Sequence, residues 1–300
     1  MHVIVLSGGL GNQMFQYAFY LSKKHLLASD AFYLSSYSVK RENAHNGLEL
    51  FRLFGLDPGE RINKYEMTVA IIRKLFVFED RRIIGSFVPI LIWLLSVFNI
   101  RIIKELNAGV YFENVLSHYK SAYYFGFWQS EKYFSSVNPL VKSTFRFKQS
   151  ISDKSRELLS VLKTRDNTVS IHVRRGDYLL DKYKAAYGSI CTFEYYQKAL
   201  SLIKSKIQNP FFVVFSDDIQ WVSEHLAISE AVYVDWNIGL DSWQDMFLMS
   251  QCRHNIIANS TFSWWGAWLN NNTDKIVIAP RRFINNQETP DLLPDSWIKL

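Results

Sequence analysis

The chain has 300 residues, of which 48% are hydrophobic and 21% charged, and its formal net charge is +6. This length and apolar content predict about two globular domains of roughly 100–200 residues each and exclude a disordered chain. The positive charge favours phosphate-bearing ligands, anionic lipid or nucleic acid, but the basic residues occur in short pairs and not in the stripe that is typical of nucleic-acid binders.

The first residues predict an α/β unit. A strand is expected over 2–6, a glycine-rich turn over 7–13 and a helix after the turn. Such a turn lets backbone amides approach an anion at a helix N-terminus, and Asn12 and Gln13 add amide side chains that can reach a ligand. An ordinary helix entry is the alternative. The third glycine and the later acidic residue of a dinucleotide fingerprint are missing, which disfavours a nicotinamide-dependent dehydrogenase.

Residues 83–100 form an uncharged stretch inside a segment, 48–105, whose pattern is mostly helical. Its length is close to the ~20 residues that span a bilayer. Because Gly85 and Pro89 interrupt it, we expect a buried core helix. The alternatives are an interfacial helix between basic pairs, with peripheral contact at the inner face of the membrane, and a true span.

The sequence also predicts the compartment. The chain opens with a strand pattern and lacks the basic and apolar regions of a signal peptide. Cys191 and Cys252 have no neighbours at metal-ligand spacing, which disfavours a disulfide framework and a structural zinc site. We therefore expect a cytoplasmic protein.

Two domains are expected, an N-terminal α/β domain over residues 1–150 and a second domain over 151–300, with the polar stretch 148–153 as the linker. In the second domain, strand-like runs alternate with helical spacing, which predicts a parallel, doubly wound sheet whose ligands bind at the carboxyl ends of the strands. The strands are expected at 168–173, 211–216, 231–236, 255–259 and 275–279, and the helix N-caps at Thr192, Asp241 and Ser260.

The segment 168–178 carries the strongest functional signal, because a β-branched strand runs into two arginines, a glycine and an acid. Strand alternation places His172 and Arg174 on the face opposite to the β-branched residues. Guanidinium groups bind phosphate oxygens bidentately and keep their charge, so Arg174 and Arg175 suit a diphosphate whose negative charge grows during a reaction. A surface arginine pair beside a buried strand is the alternative.

The second signal is the run Asn-Ser-Thr-Phe-Ser-Trp-Trp-Gly-Ala-Trp over 259–268. Its first hydroxyls lie at a strand-to-helix junction, where Ser260 and Thr261 can bind phosphate oxygens together with the helix amides. The tryptophans form either a ligand wall or part of the core.

No metal site is expected. The chain contains no Asp-x-Asp and no His-x-x-x-His pattern, and its seven histidines are scattered. An enzyme that handles a nucleoside diphosphate without a divalent cation offsets the leaving charge with cationic side chains and helix ends.

Four blocks of the sequence, 8–18, 172–178, 215–218 and 257–269, resemble, in the same order, the α-1,2-fucosyltransferases of glycosyltransferase family 11. The resemblance implies a GT-B-like α/β fold of two Rossmann-like domains with a nucleotide-sugar cleft between them. The N-terminal domain would face the acceptor, and the C-terminal domain would bind GDP-fucose. The implied reaction is inverting, metal-independent transfer of L-fucose from GDP-β-L-fucose to the 2-hydroxyl of a terminal galactose in a glycan, with no cofactor and no nucleic acid.

The resemblance also assigns roles by position. Arg174 is the expected main ligand of the β-phosphate, Arg175 assists it, and Asp245 is the expected partner of the guanine edge. Ser260 and its two neighbours would hold phosphate and the base side, and the N-terminal loop would border the cleft. The donor-binding residues implied in this way are His172, Arg174, Arg175, Asp245, Ser260, Thr261, Phe262, Gly11, Asn12 and Gln13.

The expected catalytic residues are Arg174 and Asp177. Inversion needs a group that takes the acceptor's proton, and Asp177 is either that base or a structural ion-pair partner of the arginines. In the α-1,6 relatives an acid five residues beyond the Asp of the motif does this work, but Lys182 stands there in this sequence, beside Asp181. The base therefore stays undecided. A non-catalytic sugar- or nucleotide-binding module and a basic nucleic-acid binder are the rival functions.

Overall fold

Two parallel β-sheets organise the protein, one in each half of the chain. The structure is a computed structural model that describes residues 1–42, 46–57, 59–79, 90, 95, 97, 100–226 and 228–300. The chain divides into two units, Met1–Lys148 and Gln149–Leu300, and the boundary falls in the 148–153 stretch that the sequence marks as a linker. The predicted α/β class is confirmed, and two units that each hold a parallel sheet are the parts of which a GT-B-like fold consists.

The first unit holds a four-stranded sheet in the order β2-β1-β4-β3, with every described pair parallel. Strand β1 is buried along its whole length between helices on both faces. Short 3₁₀ turns aside, the described elements of this unit are β1 His2–Val5, α1 Leu10–Leu26, β2 Phe32–Ser35, α2 Tyr37–Glu42, α3 Leu50–Phe54, α4 Glu66–Glu79, β3 Ile102–Lys104, α5 Glu113–Ser117, β4 Ala122–Phe125 and α6 Asn138–Thr144.

The second unit holds a six-stranded sheet in the order β10-β9-β8-β5-β6-β7, again parallel throughout its described pairs. Strand β5 lies at its centre, and all six of its residues are buried. Its elements are α7 Asp153–Thr164, β5 Thr168–Val173, α8 Asp181–Tyr187, α9 Phe193–Lys206, β6 Phe211–Ser216, α10 Ile219–His225, β7 Ala231–Val234, α11 Trp243–Gln251, β8 His254–Ile256, α12 Thr261–Leu269, β9 Val277–Ala279 and β10 Ile298–Lys299.

The bounds of two predicted strands and two of the three predicted helix caps agree with the structure. Strands β5 and β6 have the predicted bounds, and the side chains of Thr192 and Ser260 accept hydrogen bonds at the starts of α9 and α12 as predicted. The Asp241 cap is wrong, because a 3₁₀ turn occupies 239–241 and α11 starts after Ser242 without a side-chain cap bond. Strands β2, β3 and β10 were not predicted, since four, three and two residues are too few to show a period, and β3 corrects the mostly helical prediction for 48–105 at its end.

The tryptophans of α12 belong to the core. Trp264 and Trp265 are fully buried and pack edge to face, with ring centroids 5.0 Å apart. Trp264 donates its indole N–H to the Leu292 carbonyl oxygen at 2.9 Å, so its polar atom is satisfied. This outcome favours the core interpretation of the aromatic run over a ligand wall.

The apolar stretch 83–100 lies outside the described residues except at positions 90, 95, 97 and 100. The predicted core helix and its two alternatives therefore have no structural account. Across the residues that are described, none of the helices combines the length and the hydropathy that crossing a bilayer requires.

A buried amide joins three elements of the second unit. Asn255 in β8 is fully buried, and its Nδ2 donates to Ser170 Oγ at 2.7 Å and to the Met249 carbonyl oxygen at 2.8 Å. Its Oδ1 accepts a hydrogen bond from Asn270 Nδ2 at 2.8 Å. Because buried polar groups need partners, this side chain fixes β8 to β5, to α11 and to the residue after α12.

We predict that Asn255→Leu lowers the free energy of unfolding by about 2–4 kcal/mol, because the Ser170 hydroxyl, the Met249 carbonyl and the Asn270 amide each lose a hydrogen bond at a buried position. Urea unfolding followed by circular dichroism measures this loss. The control is Asn167→Leu, which removes a single solvent-facing bond to the Gln208 carbonyl oxygen and should cost about 1 kcal/mol or less. Equal losses in the two variants would contradict the role of the buried amide.

Candidate active site

The site begins where strand β5 ends. Val169, Ile171 and Val173 face the core that α9 and α10 cover, as predicted. Strands β5 and β6 pair in parallel with Val173 opposite Ser216, so their carboxyl ends lie side by side. The residues that follow each strand are therefore brought together, and these are Arg174 to Asp177 on one side and Asp217 and Asp218 on the other.

Asp217 joins the two strand ends. Its Oδ1 accepts a hydrogen bond from the Arg175 backbone N–H at 2.9 Å, and its Oδ2 lies 3.2 Å from Arg174 Nη1. The carboxylate also passes so close to Gly176 that a Cβ at this position would lie 2.7 Å from Oδ2. A side chain at 176 would therefore displace the Asp217 carboxylate from this position.

Arg174 is held between two carboxylates. In addition to its contact with Asp217, its Nε lies 2.9 Å from Asp177 Oδ1, and a quarter of the side chain is exposed. Burial lowers the pKa of Arg174, but the Asp217 and Asp177 carboxylates outweigh burial and raise it. The guanidinium is thus charged and fixed in place, and its Nη2 takes part in neither ion pair.

Arg175 has a separate support. Its guanidinium carbon lies 3.6 Å from the centroid of the Trp221 ring in α10, and its Nε lies 3.1 Å from Asp218 Oδ2. The His225 ring also stacks on the Trp221 ring, and their centroids lie 4.4 Å apart. Stacking and ion pairing fix the planar guanidinium, so Arg175 is oriented before any ligand arrives.

The charge of this edge differs from the expectation. The sequence predicts a positive fork, yet the two arginines lie among the carboxylates Asp177, Asp217 and Asp218. The charge of Arg174 is offset by Asp177 and Asp217, and the charge of Arg175 is offset by Asp218. The arrangement therefore favours directed N–H donors over a diffuse positive potential.

His172 lies on the opposite face from the β-branched residues, as predicted. It is 5% exposed, and its ring centroid lies 5.9 Å from that of Phe262. Burial and the nearby Arg174 charge lower the pKa of His172 to about 3, so the ring is neutral at physiological pH. Its Nδ1 is buried and has no hydrogen-bond partner among the described residues. The Nδ1 atom can therefore form a hydrogen bond with a ligand that reaches this edge of the sheet.

The start of α12 adjoins this edge. Tyr178 donates a hydrogen bond from its hydroxyl to the Asn259 carbonyl oxygen at 3.0 Å. This bond connects the turn after the arginines to the residue that precedes the N-cap Ser260. Ser260 uses its Oγ to accept the Phe262 N–H at 3.3 Å, and Thr261 is half-buried. The structure thus brings the first and second sequence signals together at one end of the sheet.

Asp245 lies farther along the same edge, in the first turn of α11, which follows β7. Its Oδ1 accepts a hydrogen bond from Asn237 Nδ2 at 2.8 Å, and Asn237 Oδ1 accepts one from Ser155 Oγ at 3.0 Å. Burial raises the pKa of Asp245 to about 7, although the bond from Asn237 opposes this shift. Contact with a guanine edge stays a prediction.

The N-terminal loop is braced from within. Gly8 has a φ of +71°, and a Cβ there would lie 2.5 Å from Asn12 Nδ2, so only glycine fits. Asn12 Oδ1 accepts a hydrogen bond from Gln129 Nε2 at 2.9 Å. Gln13 is fully buried, and its Nε2 donates to the Gly8 and Gly47 carbonyl oxygens. The expectation that the Gln13 side chain reaches a ligand is corrected, because its amide is committed to holding the loop.

Gly11 lies buried in the first turn of α1, where it provides backbone and no side chain. Helix α1 begins at Leu10 with Gly9 as its N-cap, and no side chain caps it. The expected contact of this turn with an anion stays a prediction.

Sequence reasoning missed three supporting residues. Tyr178, Asp217 and Trp221 fix the positions of the turn and of the two guanidiniums. Two of them were visible inside the quoted motifs, because Tyr178 ends the first and Asp217 belongs to 215–218. Trp221 gave no signal, since its contact with Arg175 depends on how α10 packs.

Within the described ranges, no group of three or more histidine, cysteine or acidic side chains could hold a metal ion. Metal independence stays a prediction.

Comparisons with known proteins place this geometry in a family. The sequence profile of glycosyl transferase family 11 matches residues 108–299. Two Escherichia coli proteins are each 32% identical to this chain over 310 residues. One is the O-antigen biosynthesis glycosyltransferase WbnK, and its alignment covers 98% of this chain and 99% of that protein. The other is an alpha-1,2-colitosyltransferase, and its alignment covers 100% of this chain and 99% of that protein.

More distant similarity extends to animal enzymes and to solved structures. Galactoside alpha-(1,2)-fucosyltransferase 1 of Saimiri boliviensis boliviensis is 28% identical over 152 residues, which cover 48% of this chain and 42% of that protein. NodZ alpha-1,6-fucosyltransferase co-crystallized with GDP superposes with a TM-score of 0.49 at 13% identity, covering 88% of this chain and 90% of that one.

The profile match spans more than half of the chain, and the E. coli relatives align over nearly all of it. The chain belongs to glycosyl transferase family 11.

Proposed function

We propose that this protein transfers L-fucose from GDP-β-L-fucose to the 2-hydroxyl of a terminal galactose in a glycan, with inversion and without a metal ion. The observation that carries the proposal is the fixed Arg174 guanidinium at the carboxyl end of β5, next to the unpartnered Nδ1 of His172. The α-1,2 linkage is supported by two relatives, whose names both specify transfer to that position.

In this mechanism the diphosphate is bound by directed donors. Arg174 would donate a hydrogen bond from Nη2 to an oxygen of the β-phosphate. The Nδ1 atom of the neutral His172 ring would form a hydrogen bond with GDP-fucose. As the bond to fucose breaks, negative charge grows on the leaving oxygen, and a donor that is already oriented stabilises it without reorganisation. The amides at the start of α12 add further donors on the same side.

Asp177 is our proposed base. Its carboxylate is about a quarter exposed, and its contact with Arg174 Nε fixes it beside the leaving group. The carboxylate would take the acceptor's proton in a transition state in which that proton becomes acidic only after fucose has largely left GDP.

A second donor sugar has a specific observation in its favour. The relative that aligns with the whole chain is an alpha-1,2-colitosyltransferase. Colitose differs from fucose by the absence of the 3-hydroxyl, so both sugars present the same face to a diphosphate site. The arginine geometry is compatible with either donor, and only a direct comparison separates them.

The proposed compartment is the cytoplasm. Cys191 and Cys252 are both free thiols, and burial raises the pKa of each. Neither forms the disulfide that an oxidising compartment would allow.

The function is tested by incubating the full chain with GDP-β-L-fucose and lactose and analysing the product by NMR. We predict fucose in α linkage to the 2-hydroxyl of galactose, at the same rate with and without EDTA. GDP binding without transfer would identify a binding module, and a strict requirement for Mg²⁺ or Mn²⁺ would contradict the metal-free mechanism. Parallel reactions with GDP-colitose identify the preferred donor sugar.

We predict that Arg174→Lys lowers kcat/KM by an amount equivalent to about 2–4 kcal/mol, because lysine cannot keep the contacts with Asp177 and Asp217 while donating to phosphate. Steady-state kinetics with varied donor measure the loss. Arg165→Lys is the control, since Arg165 packs over the Phe211 ring at the start of β6, and it should stay within about twofold. Activity of Arg174→Lys within that range would refute the phosphate role.

We predict that the affinity for guanosine depends on the ionisation of Asp245. The guanine edge donates hydrogen bonds, so it needs the carboxylate form, and the pKa of about 7 means that protons compete below that value. Affinity should fall about tenfold for each pH unit below 7 and stay constant above it. Calorimetry between pH 5 and 8 measures this, and guanosine avoids the titration of a phosphate. Asp245→Asn should bind weakly with a flat profile, whereas a flat wild-type profile would remove Asp245 from the base site.

A further inference from the structure

A chain of four polar side chains in the second unit ends on the Asp245 carboxylate. The Trp236 indole N–H donates to Ser155 Oγ at 3.0 Å, and the Ser155 hydroxyl donates to Asn237 Oδ1 at 3.0 Å. Asn237 Nδ2 then donates to Asp245 Oδ1 at 2.8 Å. Ser155 and Asn237 are buried, whereas Trp236 and Asp245 are half-buried. The inner members of the chain are thus shielded from water, and its two ends meet the surface.

Three separate elements contribute to this chain. Ser155 lies in the first turn of α7, residues 236–237 follow β7, and Asp245 lies in the first turn of α11. A second bond runs beside the chain, because the Ser152 backbone N–H donates to Oε1 of the buried Gln244 at 2.8 Å. The starts of α7 and α11 are therefore joined at two neighbouring positions, which fixes Asp245 relative to Ser155.

The direction of the hydrogen bonds in this chain is set at Trp236. An indole nitrogen donates and does not accept, so the Ser155 oxygen must accept from it. The Ser155 hydroxyl keeps its own proton for the Asn237 carbonyl oxygen, and the Asn237 amide then points its NH₂ group at Asp245. Asp245 therefore receives a hydrogen bond, which favours its carboxylate form.

The same groups disfavour the opposite orientation of the Asn237 amide. Its NH₂ group would then face Ser155, whose hydroxyl proton would lose its acceptor. Its carbonyl oxygen would lie 2.8 Å from Asp245 Oδ1, and two acceptors this close repel each other unless the carboxyl group is protonated. By fixing the amide, Ser155 therefore favours the ionised form of Asp245.

The second oxygen of Asp245 is available to a ligand. Within the described residues Oδ2 forms no hydrogen bond, and the side chain is half-buried. The charged residues that neighbour the chain in sequence, Lys154, Asp235 and Asp241, are exposed. The pKa of Asp245 is set by burial, which raises it to about 7, and by the bond from Asn237, which opposes this shift.

We propose that Ser155 and Asn237 are positioning residues, which hold Asp245 as a hydrogen-bond acceptor for the base of the donor nucleotide. The proposal rests on the proposed function for the contact between Asp245 and guanine. Guanine offers two neighbouring donors, N1–H and the 2-amino group, and a carboxylate accepts both. Adenine presents an acceptor beside its amino group, which a carboxylate repels. The buried chain thereby selects the base, although neither Ser155 nor Asn237 needs to touch it.

The first measurement needs no ligand. Carboxyl ¹³C NMR of the full chain with labelled aspartate follows the titration of Asp245, whose signal is identified by its loss in Asp245→Asn. We expect Asn237→Leu to raise the pKa of Asp245 by about one unit, because the carboxylate loses a charge-assisted hydrogen bond. Ser155→Ala should also raise this pKa, because the Asn237 amide can then turn its oxygen to a protonated Asp245.

Two further variants separate this chain from a general loss of structure. In Ser155→Ala/Asn237→Leu the pKa of Asp245 should rise no further than in Asn237→Leu alone, because Ser155 acts through the amide. Ser160→Ala is the control, since Ser160 lies on the exposed side of the same helix and donates to the Arg156 carbonyl oxygen. This control should leave the titration of Asp245 unchanged.

The second measurement uses guanosine and adenosine. Calorimetry between pH 5.5 and 8.5 gives the pH below which the affinity for guanosine falls, which is expected near 7 in the wild type. This pH should move upward with the pKa of Asp245 in Asn237→Leu and in Ser155→Ala, whereas a merely structural loss would lower the affinity equally at every pH. At pH 7 the preference for guanosine over adenosine should fall about fivefold in Asn237→Leu, because a protonated carboxyl group can donate to the adenine ring.

An unchanged pKa of Asp245 in Asn237→Leu or in Ser155→Ala would overturn the proposal, and so would additive shifts in the double variant. A shifted pKa that the affinity for guanosine does not follow would also overturn it, because the chain would then serve only the fold. If the affinity of the wild type for guanosine does not depend on pH, the guanine contact and this proposal fail together. A wild type that keeps these pH dependences but transfers no fucose to lactose would contradict the proposed activity alone and leave this proposal standing.

Discussion

The carboxylate of Asp217 is the interaction on which the rest of the site depends. It connects the end of β6 to the turn after β5 by accepting a backbone N–H from Arg175 and by pairing with the Arg174 guanidinium. It also fills the space that a side chain at position 176 would occupy. Neighbouring parallel strands bring the residues that follow them to the same edge of the sheet. The two oxygens of Asp217 then contact both arginines and fix their relative positions.

The charges at this edge have a consequence for ligand binding. Partly buried arginines need partners, and here each partner is a carboxylate within the protein. The carboxylates keep the guanidiniums charged and oriented, but they also oppose a second anion. A diphosphate must therefore gain its free energy from directed donors, namely the remaining N–H groups of Arg174, the neutral His172 ring and the start of α12. The fixed positions of these hydrogen-bond donors, more than a net positive charge, distinguish this edge of the sheet.

Both units use buried or half-buried polar side chains to hold loops and helix ends. Glu105 accepts the N–H groups of Phe127 and Trp128, and this bridge stabilises a loop in which Trp128 has a φ of +58°. Burial raises the pKa of Glu105 to about 7 despite these two bonds. Lys23 donates to three carbonyl oxygens at the end of α5, and Lys275 does the same at the end of α12. In each case a side chain satisfies backbone groups that the local structure leaves unpaired.

The sequence by itself determined the parts that depend on local pattern. The period of the apolar residues predicted β5 and β6, the caps Thr192 and Ser260 marked two helix starts, and strand alternation separated His172 from the core. Four short motifs were enough to indicate the family, because they combine glycine, arginine and hydroxyl residues in a fixed order.

Tertiary structure alone decided the contacts between residues that lie far apart in the sequence. The stacking of Arg175 on Trp221, the commitment of the Gln13 amide to the Gly47 carbonyl and the three carboxylates around the arginines all depend on how separate elements pack. A cavity in the first unit likewise joins residues from three segments, 17–24, 30–34 and 57–64. A sequence pattern records which face of an element is buried, whereas the partner that a polar group finds there depends on packing distances that no local pattern contains.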